Sequence, residues 1–248
     1  MKRGRLAGKI ALITGGGRGL GAAMVRVFAA AGAKVGFSYA RNEEAAKALV
    51  ETVAAAGGQA FGYPVSVLDT PGTEGMMRDL ETRFGPLDIL VNNAGISQNL
   101  PLPLLEEEDF DKVLDVNVKG AYLTSRAALR GMMRRKKGVI LNIGSLVSER
   151  ILEAPIHYTT SKAAIDGLTK ALAKEASRHG VRVLCLAPGL LEDGLGKNLP
   201  EHRLVDYLKH CALGRVGTLE EVAKLGCFMA SDEASYMWGA TVVADGGV

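Results

Sequence analysis

The chain has 248 residues, of which 48% are hydrophobic, enough for one sizeable core. Its 30 basic and 27 acidic side chains leave a formal charge of +3 spread along the sequence, which gives no footing for a nucleic-acid partner. No apolar run reaches the ~18 to 20 residues of a membrane span, and the start MKRGRLAGKIALITGGG has no signal-peptide pattern, so a soluble, cytoplasmic protein is expected.

Apolar, β-prone runs then recur in chain order: KIALIT, AKVGFSY, QAFGYPV, LDILVN, GVILNIG, VRVLCLA and ATVVAD. Helical patterns separate them, and the alternation implies βαβ units. The runs are apolar throughout rather than at every second position, as suits strands covered on both faces of a parallel sheet. Right-handed crossovers then give a doubly wound, single-domain α/β fold of about seven strands across residues 1–248, with ligands at the carboxyl ends of the strands. Residues 190–214 interrupt the alternation with glycines, a proline and a short helical pattern, and read as a mobile lid.

After the first run comes TGGGRGLG, Thr14 to Gly21, which opens a helix. Glycines at 15, 19 and 21 let the backbone turn sharply and approach a diphosphate at the amides of Gly19, Leu20 and Gly21. An acid at the end of the second strand would bond the ribose hydroxyls of NAD. Here that strand ends in Ser38 and Tyr39, followed by Arg41, and Arg18 lies in the glycine loop; together these favour NADP(H) over NAD(H). The alternative is that both arginines are simply solvated.

Further along, NNAG at Asn92 to Gly95 supplies Asn93, Ala94 and Gly95 to support backbone near a bound cofactor. Asn117 is a polar residue within an otherwise helical, apolar pattern, and Ser145 ends the fifth strand. Tyr158 and Lys162 in YTTSK are one helical turn apart and share a face. Cys185, Cys211 and Cys227 form no CxxC pair and read as buried hydrophobes; the four histidines lack metal-ligand spacing, and no metal site is indicated. His157 precedes Tyr158, points elsewhere on the helix, and reads as structural or as a pocket-edge residue.

Nearly the whole chain resembles the short-chain dehydrogenase/reductase family, through TGGGRGLG, NNAG, Asn117, Ser145, YTTSK, APG at Ala187 to Gly189, and the closing segment from LGRVG to VVADGG. The resemblance implies a Rossmann-like fold with Tyr158 as acid/base, Ser145 orienting the reacting oxygen and Asn117 helping to hold a relay water. Lys162 would contact the nicotinamide ribose and lower the Tyr158 pKa. Ser66, Val67, Pro188, Gly189 and Leu191 join the expected cofactor contacts, and Leu146, Leu152, Pro155 and Leu190 the expected substrate contacts. Ser66 stands where the family has an acid, Leu184 where it commonly has an asparagine, and Asp193 near its usual threonine. Asp193 is therefore expected to point away from the cofactor, or its loop to be rearranged. The segment between Ser145 and Tyr158 carries Glu149, Arg150, Leu152, Glu153 and Pro155 where relatives commonly have glycines, which suggests a more particular substrate.

The likeness is greatest to 3-oxoacyl-acyl carrier protein reductases and polyketide ketoreductases, implying NADPH-dependent reduction of a carrier-linked 3-oxoacyl thioester. RRKK at Arg134 to Lys137, with Arg178 and His179, is the candidate surface for an acidic carrier protein; the alternative is a basic helix end complementing its own dipole. A reductase of a free small alcohol, sugar or cyclic ketone is the second reading, and a non-catalytic dinucleotide-binding sensor or scaffold the third. A homotetramer assembled through the helices bearing Asn117 and Tyr158 and through the C-terminal segment is expected.

Overall fold

A computed structural model describes residues 4–194 and 201–248; positions 195–200 of the expected lid lie outside the described residues. All seven apolar runs form strands: β1 (Ile10–Ile13), β2 (Lys34–Ser38), β3 (Gln59–Tyr63), β4 (Ile89–Asn92), β5 (Gly138–Ile143), β6 (Val181–Pro188) and β7 (Thr241–Ala244). They make one sheet in the order β3-β2-β1-β4-β5-β6-β7, every pair parallel. Among the described residues eight helices connect or flank them: α1 (Gly19–Ala30), α2 (Glu43–Ala55), α3 (Thr70–Phe84), α4 (Glu107–Leu114), α5 (Gly120–Arg135), α6 (Ile156–Ser177), α7 (Glu201–His210) and α8 (Leu219–Ala230). The order reverses between β1 and β4, the point at which a doubly wound sheet opens a crevice.

Side chains along each strand alternate between two cores, as the period of two requires. Ala11 and Ile13 of β1, Ile89 and Val91 of β4 and Leu141 of β5 face α1, α2 and α8. Ile10, Leu12, Leu90 and Ile140 face α3, α5 and α6. Phe28 of α1 is fully buried in the first core, which contributes roughly 1.5 to 3 kcal/mol on transfer alone.

Between α4 and α5 the chain makes a π-helical turn, Asp115–Lys119, with Asn117 buried inside it. Such a turn inserts one residue into the helix and re-aims what it carries. Below it, Asn92, Asn142, Thr124, Ser125 and Thr169 form a buried network: Asn92 donates to Ser125 Oγ and to Asn142 Oδ1, both at 2.8 Å, and accepts from Thr124. Asn142 donates in turn to Thr169 Oγ1 at 2.9 Å, tying β4 and β5 to α5 and α6 with the side chains paired.

Candidate active site

The glycine loop is braced from below by the residues after β4. Thr14 Oγ1 accepts from the amides of Asn93 and Ala94, each at 3.1 Å, while Asn93 Nδ2 donates to the carbonyls of Thr14 at 3.0 Å and Gly15 at 3.1 Å. Gly15 has φ +64° and a Cβ there would lie 2.8 Å from Ala94 Cα, so both its conformation and its surroundings demand glycine. Gly21 sits deeper: a Cβ there would lie 2.6 Å from Asn93 Nδ2 and still nearer the Gly15 carbonyl, so its part is close packing of helix on loop.

No side chain caps the start of α1, whose N-cap residue is Arg18. The first-turn amides of Gly19, Leu20 and Gly21 are therefore a fit for an anionic diphosphate. Gly194, from the segment after β6, lies across the same loop, its Cα 3.7 Å from the position of a Cβ on Gly19. Arg18 and Arg41 are both exposed and have no ion pair among the described residues. Tyr39, two residues before Arg41, packs against the loop at Gly17, the residue before Arg18.

Ser38 departs from expectation. It is buried, and its hydroxyl accepts from the Gly15 amide at 3.3 Å while its carbonyl accepts from Gly16 at 2.8 Å. It shapes the glycine loop from behind instead of facing the adenosine. Ser66 is exposed, with its hydroxyl turned to the Leu68 amide at 3.3 Å, whereas the Val67 side chain is buried against Gly120. Gly95 lies against Asn117 Oδ1, which a Cβ would approach to 3.3 Å.

Asn117 spends its side chain on structure. Its Oδ1 accepts from the Ile96 amide at 2.8 Å, and its Nδ2 donates to the Ile96 carbonyl at 3.0 Å and to Ser161 Oγ at 2.9 Å. Ser161 donates to the Tyr158 carbonyl at 2.7 Å, so Asn117 holds together the loop after β4 and the first turn of α6. Both Nδ2 protons are thereby engaged, while Oδ1 keeps a second lone pair for a further donor.

Ser145 leaves β5 in extended conformation and is followed by a short turn, Leu146–Ser148. Pro155 precedes α6, where its fixed φ suits a helix start, and brings Tyr158 and Lys162 onto the face turned to the strand ends. Lys162 is buried, with Nζ donating to the Ile143 carbonyl at 2.8 Å and lying 5.6 Å from the Tyr158 ring centroid. Burial pushes the Lys162 ammonium down to about 8, with Cys185 acting against it. Burial likewise pushes the Tyr158 phenol up, and the opposing influence is its hydrogen bond with Ser145. On balance the phenol stands above its ordinary value, because burial outweighs its hydrogen bond with Ser145.

Gly189 donates to the Ala244 carbonyl at 2.9 Å after Pro188 ends β6, and a Cβ on it would lie 2.5 Å from Tyr207 Oη of α7. Tyr207 Oη accepts from the Leu190 amide at 3.0 Å and donates to the Asp245 carbonyl at 3.3 Å. Leu191 bridges to Gly217. Leu152, Pro155 and Leu190 are half-buried, as a cleft lining requires, but Leu146 is buried at 1% exposure and packs beneath its loop. One turn before Tyr207, Arg203 bonds to Glu153, from the segment after β5, and to Asn99, from the segment after β4. Sequence reasoning missed both residues; their four-residue spacing on an amphipathic lid helix was the available signal.

The basic run is also not where it was expected. Arg134 and Arg135 end α5, Lys136 caps it, and β5 begins at Gly138; Arg178 caps α6 just ahead of β6. All therefore lie at the amino ends of the strands, across the length of β5 from Ser145. Arg135 there donates to the Leu87 carbonyl at 2.5 Å.

The family model described as enoyl-(acyl carrier protein) reductase matches residues 15–248. Among curated proteins the chain is similar to the 3-oxoacyl-acyl-carrier-protein reductase FabG of Chlamydia pneumoniae, 36% identical over 98% of each chain. Among solved structures it is similar to a short-chain dehydrogenase/reductase from Serratia marcescens, 34% identical with a TM-score of 0.91 over 98% of each chain. It is also similar to a gluconate 5-dehydrogenase from Burkholderia cenocepacia in complex with NADP and tartrate, 34% identical with a TM-score of 0.92 over 98% of this chain and 96% of that one. With its parallel seven-stranded sheet and glycine-loop cradle for a nicotinamide dinucleotide, the chain belongs to the short-chain dehydrogenase/reductase family and is an NAD(P)-dependent oxidoreductase.

Proposed function

We propose that the chain uses NADPH to reduce a 3-oxoacyl thioester, carried on an acyl carrier protein, to the 3-hydroxyacyl thioester. The observation that carries the reductive reading is the placement of the half-buried Tyr158 in hydrogen-bond reach of Ser145 and beside the buried Lys162. A phenol whose pKa is raised stays protonated at neutral pH, the state required of a group that gives its proton to a developing alkoxide. Similarity to FabG supplies the substrate class, and the exposed Arg18 in the glycine loop and Arg41 after β2 support the extra phosphate of NADP.

When bound, the dinucleotide supplies the hydride. Gly19, Leu20 and Gly21 would hold its diphosphate, and Arg18 and Arg41 its 2′-phosphate. Ser145 Oγ and Tyr158 Oη would both donate to the carbonyl oxygen, stabilising charge as it develops. Tyr158 then loses its proton to that oxygen, and the ammonium of Lys162 stabilises the phenolate left behind. Asn117 is a positioning residue that fixes the Tyr158 turn against the loop at Ile96.

The second reading, reduction of a small free ketone, is favoured by one observation: the basic run lies far from the cleft of its own protomer. The expected homotetramer bears on this. The outer faces of α5 and α6 enclose a groove of about 380 Å³ lined by Tyr122, Leu129, Met133, Leu168 and Leu172, a surface suited to a second copy. A two-fold axis normal to these helices would run them antiparallel and carry the basic ends toward the partner's cleft. Among the described residues no helix is long and apolar enough to cross a membrane.

The test is NADPH and NADH oxidation by the wild-type protein on a carrier-linked 3-oxoacyl thioester beside a panel of free ketones. Preference for NADPH and the carrier-linked thioester supports the proposal. Turnover confined to free ketones overturns the substrate assignment.

A further inference from the structure

Arg203 joins all three segments that leave the carboxyl ends of the central strands. It sits on α7, after β6; one terminal nitrogen bonds Glu153, after β5, and the other reaches Asn99 Oδ1 at 3.5 Å, after β4. Tyr207, one turn further, anchors the same face of α7 to Leu190 and Asp245, which turns that face toward the strand ends. Each terminal nitrogen thus has one N–H engaged, and Glu153, which neutralises the charge, is 72% exposed. Nε, with its single N–H, is buried and among the described residues has no partner. A buried charged donor left unpaired is costly unless something arrives to accept from it.

We propose that Arg203 determines specificity: its Nε–H donates to a second, uncharged carbonyl oxygen of the substrate, separate from the one that receives the hydride and proton. An uncharged acceptor fits because the guanidinium is already balanced by Glu153, so a carboxylate would be desolvated without a net positive charge to receive it. A 3-oxoacyl thioester has such an oxygen in its thioester carbonyl; to that extent the inference rests on the proposed function. Glu153 and Asn99 act as positioning residues that fix the plane of the guanidinium.

The experiment compares kcat/KM of wild type, Arg203→Lys and Arg203→Ala on matched pairs of ketones with and without a second carbonyl at the 1,3 position. The pairs are a 3-oxoacyl thioester and a small 1,3-diketone, each against its mono-ketone. Lysine keeps the charge on the lid but removes the Nε donor, and thermal unfolding checks that each variant is folded. Selectivity for the dicarbonyl member falls roughly tenfold to hundredfold in both variants, while Glu153→Gln, which loosens the lid but keeps Nε, retains more of it. Equal losses on both members of each pair would make Arg203 a lid fastening only and overturn the inference, as would unchanged selectivity or a wild type that does not discriminate. A wild type inactive on the thioester but selective for the diketone, with selectivity lost in Arg203→Lys, would overturn the proposed substrate and leave the role of Arg203 standing.

Discussion

Replacing Gly21 by alanine should destabilise the protein even though the position is inside a helix, where the change ordinarily stabilises by about 1 kcal/mol. The added Cβ would lie 2.6 Å from Asn93 Nδ2 and closer to the Gly15 carbonyl, and neither is the free end of a flexible chain. To relieve the clash the loop and helix must separate by roughly 1 Å, an overpacking cost of about 1 to 3 kcal/mol. That movement also breaks the hydrogen bonds from Asn93 to Thr14 and Gly15, so the diphosphate cradle deforms with it. The net expectation is a loss of about 1 to 2 kcal/mol, a melting temperature lower by roughly 2 to 8 °C, and dinucleotide affinity weaker by at least about tenfold. Gly75→Ala, within α3 and with only Arg78 Nη2 near at 3.9 Å, is the matched control and should stabilise by about 0.5 to 1 kcal/mol. Calorimetry and fluorescence titration with NADPH read both quantities. A Gly21→Ala protein as stable as Gly75→Ala, binding cofactor like wild type, would refute the packing argument.

Other consequences are equally open to measurement. Removing Arg18 and Arg41 together should weaken NADPH by roughly tenfold to hundredfold while NADH changes little, read as the ratio of the two dissociation constants; a constant ratio would remove both from phosphate recognition. His157 is fully buried with neither ring nitrogen bonded, and burial holds its pKa below the ordinary 6.5 against the opposing influence of Asp109. The unfolded chain then binds the proton more readily, so the stability is complete above about pH 6.5 and declines as pH falls below it. His157→Phe should flatten that decline in thermal melts between pH 7 and 5, and an unchanged profile would count against it.

The seven strands were legible as apolar runs, with all but the edge strands β3 and β7 buried on both faces, and the switch-point cradle because its glycines are dictated by backbone conformation at Gly15 and packing at Gly21. What depends on three-dimensional neighbours was not. Ser38 reads as a cofactor contact by its position at the end of β2, yet its hydroxyl is taken by the Gly15 amide. The basic run reads as a carrier-protein surface but lies at the amino ends of the strands, because a helix returning between parallel strands ends where the next strand begins. The electrostatics of Tyr158 and Lys162 turned on burial, which spacing alone does not reveal. Arg203 and Tyr207 gained their meaning only from partners more than a dozen residues away.

The central claim is that Tyr158 delivers the proton in NADPH-dependent reduction of a 3-oxoacyl thioester. The direct measurement is single-turnover NADPH oxidation on that thioester by wild type and Tyr158→Phe, with cofactor affinity measured in parallel. The account predicts turnover in the wild type and a loss of about 10² to 10⁴-fold in the variant, with NADPH binding nearly unchanged. Comparable rates in the two proteins, at equal cofactor occupancy, would contradict it.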